Sequence, residues 1–130
     1  MSPKRIMIID DDATSNMICK MIIKKVLPDI EVTDILHPQR GMDYIKDNFK
    51  ENSLPICLLL DINMPDWSGW DFLDHFIELP DYIKNKFTIY MLSSSVNKED
   101  LQKAATNTYV KDYIEKPLSK IAIERIMRDA

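Results

Sequence analysis

The sequence predicts an α/β fold in which a five-stranded parallel sheet carries helices on both faces. Three observations lead there. Five short apolar runs alternate with segments whose apolar residues recur at helical spacing. The central run, Ile56-Cys57-Leu58-Leu59-Leu60, is apolar throughout, as a strand covered on both faces must be. The connections are short, so each helix crosses back over the sheet by the right-handed route.

The elements follow in order. Residues 5–9 read as a strand stopped by Asp10-Asp11-Asp12. Asp12 or Thr14 can cap the next helix, to which Met17, Ile18, Met21, Ile22 and Val26 give an apolar stripe before Pro28 ends it. Residues 30–36 are rich in β-branched side chains and form the next strand. Pro38 suits a first helical turn, with Met42, Ile45 and Phe49 at helical spacing behind it. The central strand, 56–60, meets Asp61; Pro65 and Gly69 then restrict the loop, and Asp66 and Ser68 can make local turn bonds. Trp70, Leu73, Phe76 and Ile77 define a helix from about Ser68, with Pro80 near its end. Residues 87–92 form a strand that runs into Ser93-Ser94-Ser95. Asn97 can cap a helix whose apolar face, Leu101, Ala104 and Ala105, is thin. Residues 109–114 make the last strand, Lys116-Pro117 a turn, and residues 121–127 the last helix.

Composition narrows the function classes. The 130 residues suit one domain, 1–130, with one full hydrophobic core. Apolar content of 45% and charged content of 29% are those of a soluble globular chain. A net charge of −4 and the lack of a dense basic stripe argue against nucleic-acid binding. The apolar runs are too short for membrane insertion, and the start, Met-Ser-Pro-Lys-Arg, does not read as a signal peptide. Cys19 and Cys57 lie in apolar segments and read as reduced core thiols of a cytoplasmic protein. His37 and His75 are far apart, which argues against zinc. Only Gly41 and Gly69 occur, so there is no Gly-rich phosphate loop.

The polar residues that stop the strands form a constellation. Strands end at Asp10-Asp11-Asp12, at Asp61, at Ser93 and just before Lys116. In a parallel sheet those ends share one edge, where open α/β folds bind ligands. Clustered carboxylates repel one another unless a cation joins them, and an all-oxygen ligand set suits Mg²⁺. A hydroxyl and an ammonium nearby can hold phosphoryl oxygens, which makes Asp61 the natural nucleophile for an acyl phosphate. Such chemistry needs positioning and charge neutralisation above all.

These segments together resemble the receiver domain of two-component response regulators, of the CheY-like, single-domain kind. Ile8-Ile9-Asp10-Asp11-Asp12, Leu60-Asp61-Ile62-Asn63-Met64-Pro65 with Gly69, Met91-Leu92-Ser93 and Glu115-Lys116-Pro117 carry the likeness, which spans nearly the whole chain. The resemblance implies a doubly wound, flavodoxin-like sheet of order 2-1-3-4-5; a receiver is a standing example of that order. It implies that Asp61 accepts phosphate from a sensor histidine kinase or a histidine phosphotransfer protein. Asp10 and Asp11, with Asp61 and the backbone carbonyl of Asn63, then hold Mg²⁺, and Ser93 and Lys116 contact the phosphoryl oxygens. Tyr113 matches an aromatic switch position, and Lys116-Pro117 is expected to be cis. The chain would be a phosphoacceptor that catalyses its own phosphoryl transfer and slow dephosphorylation, not a turnover enzyme. Its output would be a downstream protein target, or a self-dimer, through the fourth predicted helix (from Asn97), the fifth strand (109–114) and the fifth helix (121–127).

The sequence departs from the family pattern at Ser93, where Thr is commoner, at Ser68, and at Asn107-Thr108. None removes a catalytic group. Alternatives stand beside the resemblance. Asp12 fits a helix cap better than a metal ligand, and Tyr113 fits plain packing as well as switching. Asp10-Asp11-Asp12-Ala13-Thr14 also fits the Asp-x-Asp-x-Thr pattern of haloacid-dehalogenase-type phosphatases, but that reading leaves Asp61 without a role. A phosphate-independent receiver-like module is the other alternative, and the complete acidic site argues against it.

Overall fold

The computed structural model describes residues 5–95 and 97–129. The first four residues, part of the start that does not read as a signal peptide, lie outside them. The elements run β1 (Arg5–Ile9), α1 (Ala13–Val26), β2 (Glu31–Ile35), α2 (Pro38–Asn48), β3 (Ile56–Asp61), α3 (Gly69–Phe76), α4 (Asp81–Lys84), β4 (Phe87–Ser93), α5 (Lys98–Thr106), β5 (Val110–Glu115) and α6 (Lys120–Asp129). All strand pairs are parallel, and the sheet order is β2-β1-β3-β4-β5, as expected.

Strand alternation divides the core into two halves. Ile6, Ile8, Cys57, Leu59, Tyr90, Leu92 and Ile114 face Cys19 and Ile23 of α1 and Ile123 and Ile126 of α6. Met7, Ile9, Leu58, Leu60, Ile89 and Met91 face α2, α3, α4 and α5. Every residue of β3 is buried, which accounts for its unbroken apolar run. Each buried Leu or Ile contributes about 1.5–3 kcal/mol relative to an exposed one. Cys19 and Cys57 are buried free thiols. Among the described residues, no helix is long and apolar enough to cross a membrane.

Three local expectations are corrected. A short helix, α4, was not anticipated: α3 ends at Phe76, and Pro80 then opens a new turn that buries Ile83. On α1, Met17, Ile18 and Met21 are exposed, at 57%, 43% and 59%, while Asn16, Cys19 and Ile23 are the buried residues. Helical spacing found the helix, but several stripes fit it, and the sheet chose the one containing an asparagine. The apolar face of α5 is thin, as expected, but Leu101 and Ala105 are exposed and only Ala104 is buried.

Candidate functional site

Register brings the predicted residues to one edge. Ile9 of β1 lies opposite Leu60 of β3, so Asp10 and Asp61 follow side by side. Asp61 pairs with Leu92, Ser93 pairs with Glu115, and Lys116 comes next. Asp10, Asp61 and Ser93 are buried there, at 1%, 5% and 1% exposure. Asp11 is exposed beside them. Asn63 sits in the exposed loop two residues past Asp61. The Lys116-Pro117 peptide bond is cis.

Lys116 organises the acids. Its Nζ lies 2.5 Å from Asp10 Oδ2 and 3.4 Å from Asp61 Oδ1. Burial pushes the Asp61 carboxyl up to about 6, and the charge of Asp10 adds to this, while Lys116 offsets part of it. Burial acts to lower the Lys116 ammonium, but the hydrogen bond it donates to Asp10 and the charges of both acids outweigh it and hold it above its ordinary value. One carboxylate oxygen from each of Asp10, Asp11 and Asp61 falls within 4.8 Å of the others. That all-oxygen donor set fits a hard divalent cation such as Mg²⁺.

The loops hold these groups in place. Asp12 accepts from the N–H groups of Thr14 and Ser15, at 2.9 and 3.2 Å, and so is the cap of α1. That role leaves the phosphatase pattern without its second acid. Ser68 and Asp71 form a capping box at the start of α3. Gly69 lies against the end of β3: a Cβ there would stand 2.6 Å from the Asp61 carbonyl oxygen and 2.8 Å from Met91 Cε. Its N–H donates to the Ile62 carbonyl at 2.8 Å. Trp67 stacks on His75, and Trp70 donates to Asp100 at 2.9 Å, so both indoles pack outside the acid cluster.

Ser93 and Tyr113 meet through a third residue. The Ser93 hydroxyl donates to the Ser95 carbonyl at 3.1 Å, and the Tyr113 hydroxyl donates to the same oxygen at 2.5 Å. Sequence reasoning missed Ser95 in this role. It also missed Ser15, whose hydroxyl donates to Asp10 Oδ2 at 2.9 Å, and Asn16, whose amide donates to the Asp10 carbonyl at 3.0 Å. Asn16 had a signal: it is the polar member of the spacing 16, 19, 23 on a helix that buries that face.

A family model described as "Response regulator receiver domain" matches residues 6–128. Among solved structures, a two-component response regulator from Cytophaga hutchinsonii is 26% identical, covers 99% of this chain and 97% of its own, and superposes with a TM-score of 0.90. A response regulator receiver protein from Dyadobacter fermentans is 22% identical, with 95% of each chain covered and a TM-score of 0.86. The Vibrio cholerae chemotaxis protein CheY4 shares the fold at 17% identity and a TM-score of 0.71, with 98% of each chain covered. No curated protein sequence matches the chain.

Proposed function

The chain belongs to the response regulator receiver domain family, and from that premise we propose that Asp61 is its phosphoacceptor in a two-component phosphorelay. The observation that carries this reading is the placement of Lys116 Nζ between the buried carboxylates of Asp10 and Asp61. An Asp61 oxygen attacks phosphorus in line. The new P–O bond forms as the P–N bond of a phosphohistidine breaks, and the histidine nitrogen takes the bonding pair and a proton. Lys116 then pairs with one phosphoryl oxygen, and the Ser93 hydroxyl donates to another. Asp10, Asp11, Asp61 and the Asn63 carbonyl would hold Mg²⁺, which when bound neutralises charge on the phosphoryl oxygens. The domain thus catalyses its own phosphorylation and slow dephosphorylation, and signals rather than turning over a substrate.

The donor is a sensor histidine kinase or a histidine phosphotransfer protein, which also places the domain in the cytoplasm. The exposed Met17, Ile18 and Met21 offer it an apolar face on α1. Beside them a cleft of about 300 Å³, lined by Ile18, Cys19, Pro117 and Leu118, reaches Lys116. The switch runs through the shared Ser95 carbonyl. As Ser93 turns to the phosphoryl group it leaves that oxygen, and the Tyr113 ring turns inward beside it. The response surface is α5, β5 and α6, offered to a downstream protein or a second copy of the chain. Phosphorylation biases two states already present.

Intact-mass measurement after exposure to a small acyl-phosphate donor tests the assignment. Wild type gains one phosphoryl group with Mg²⁺ and none after chelation, and Asp61→Asn gains none. Equal labelling of both proteins, or labelling of Asp10, sinks it.

A further inference from the structure

Asp10 is almost fully buried, and its carboxylate is held by three donors. Oδ1 accepts the Asp12 N–H at 3.0 Å. Oδ2 accepts the Ser15 hydroxyl at 2.9 Å and Lys116 Nζ at 2.5 Å. These donors differ in how firmly they are placed. Ser15 stands in the first turn of α1, where the Asp12 carboxylate holds its N–H. Asn16, next in that turn, holds the Asp10 carbonyl. Lys116 reaches in on a long side chain and already divides itself between Asp10 and Asp61.

A phosphoryl group on Asp61 competes for Lys116 and leaves Ser15 where it is. We infer that Ser15 is a positioning residue: its hydroxyl keeps the Asp10 carboxylate in one orientation toward a divalent cation when Lys116 turns away. The inference rests on the receiver reading above. It assigns Ser15 no contact with the ion or the phosphoryl group; it acts through Asp10. Donors of this outer kind typically change metal affinity by about 10–100-fold. One of three donors is removed here and two remain, so the change expected lies at or just below the low end of that range, about fivefold to tenfold.

Calorimetric Mg²⁺ titration of wild type, Ser15→Ala, Ser15→Thr and Asp11→Ala tests this, alongside metal-free urea unfolding. Ala is a strong helix former, so Ser15→Ala keeps α1. Its Mg²⁺ Kd rises about fivefold to tenfold, and Ser15→Thr, which restores the hydroxyl, returns to within about twofold of wild type. A purely structural Ser15 lowers the urea midpoint and leaves the Mg²⁺ Kd unchanged; that result, or tighter Mg²⁺ binding by Ser15→Ala, overturns the inference alone. Wild type that binds no Mg²⁺ overturns the metal site of the receiver reading, and this inference with it.

Discussion

The two ends of the same five strands carry opposite chemistry. At the amino edge, aromatic rings close the core: Phe49 and Phe76 meet Phe87 at 4.8 and 5.4 Å, and Phe76 meets Tyr109 edge-on at 5.9 Å. Lys84 completes that end, with Nζ 5.4 Å from the Tyr109 ring centroid and donating to the Ile77 carbonyl. At the carboxyl edge, buried Asp10, Asp61 and Ser93 stand where apolar side chains would pack, and Lys116 alone among the described lysines bridges two of them. The carboxyl edge holds three carboxylates close enough that one cation could join them. The aromatic end of the core and the candidate site are therefore separated along the strands, by about the length of one strand.

The largest expected effect comes from breaking the amino edge. Phe76→Ala removes a fully buried ring and costs about 3–5 kcal/mol. Urea unfolding measures it, and Mg²⁺ affinity of the folded protein stays within about twofold of wild type, because the cavity lies at the far end of α3. A loss of Mg²⁺ affinity comparable with the loss of stability means the two edges are one coupled unit.

Next is the cost of keeping Asp61 charged. Its folded pKa, about 6, lies above its unfolded value, so the folded state binds the proton more tightly. The stability this gives is fully present below the unfolded pKa, near 3.9, and is lost as pH rises through about 6. Asp61→Asn removes that dependence. The stability difference between wild type and Asp61→Asn, without metal, should shift in favour of the mutant by about 2 kcal/mol from pH 4 to pH 7. Melts at several pH values measure it; a flat difference contradicts the burial, and the repulsion by Asp10, assigned to Asp61.

A smaller effect tests the exposed acid. Asp11→Ala should leave the metal-free melting temperature equal or higher, since it removes one of three neighbouring carboxylates. It should also abolish the Mg²⁺-induced gain, which for wild type at tenfold the Kd is about 1.4 kcal/mol. A mutant clearly less stable than metal-free wild type contradicts the argument.

The smallest concerns the link out of the site. Tyr113→Phe removes a hydrogen bond to the Ser95 carbonyl and costs about 0.5–1.5 kcal/mol or less, since the hydroxyl is exposed. Its effect is better read by amide NMR with beryllofluoride and Mg²⁺, where beryllofluoride stands in for the phosphoryl group. Wild type should change along α5, β5 and α6, and Tyr113→Phe should change less there. Changes confined in wild type to the loops at Asp61, Ser93 and Lys116 end the switch reading.

Strand runs, caps and strand-ending polar residues are local properties, so the chain itself determined the five strands, the parallel sheet and the residues at its carboxyl edge. Asp10, Asp61, Ser93 and Lys116 were legible because a parallel sheet puts every such end on one side. Tertiary structure decided what depends on a neighbour's position. It turned Asn16, Cys19 and Ile23 of α1 inward and left Met17, Ile18 and Met21 outside. It placed the Ser15 hydroxyl on Asp10 and brought Ser93 and Tyr113 to one carbonyl, 18 residues from the tyrosine. Periodicity states that a helix has an apolar side and a strand has an end. Only the packed sheet states which atoms stand opposite, because a hydrogen bond is set by distances of a few tenths of an ångström between residues far apart in the chain.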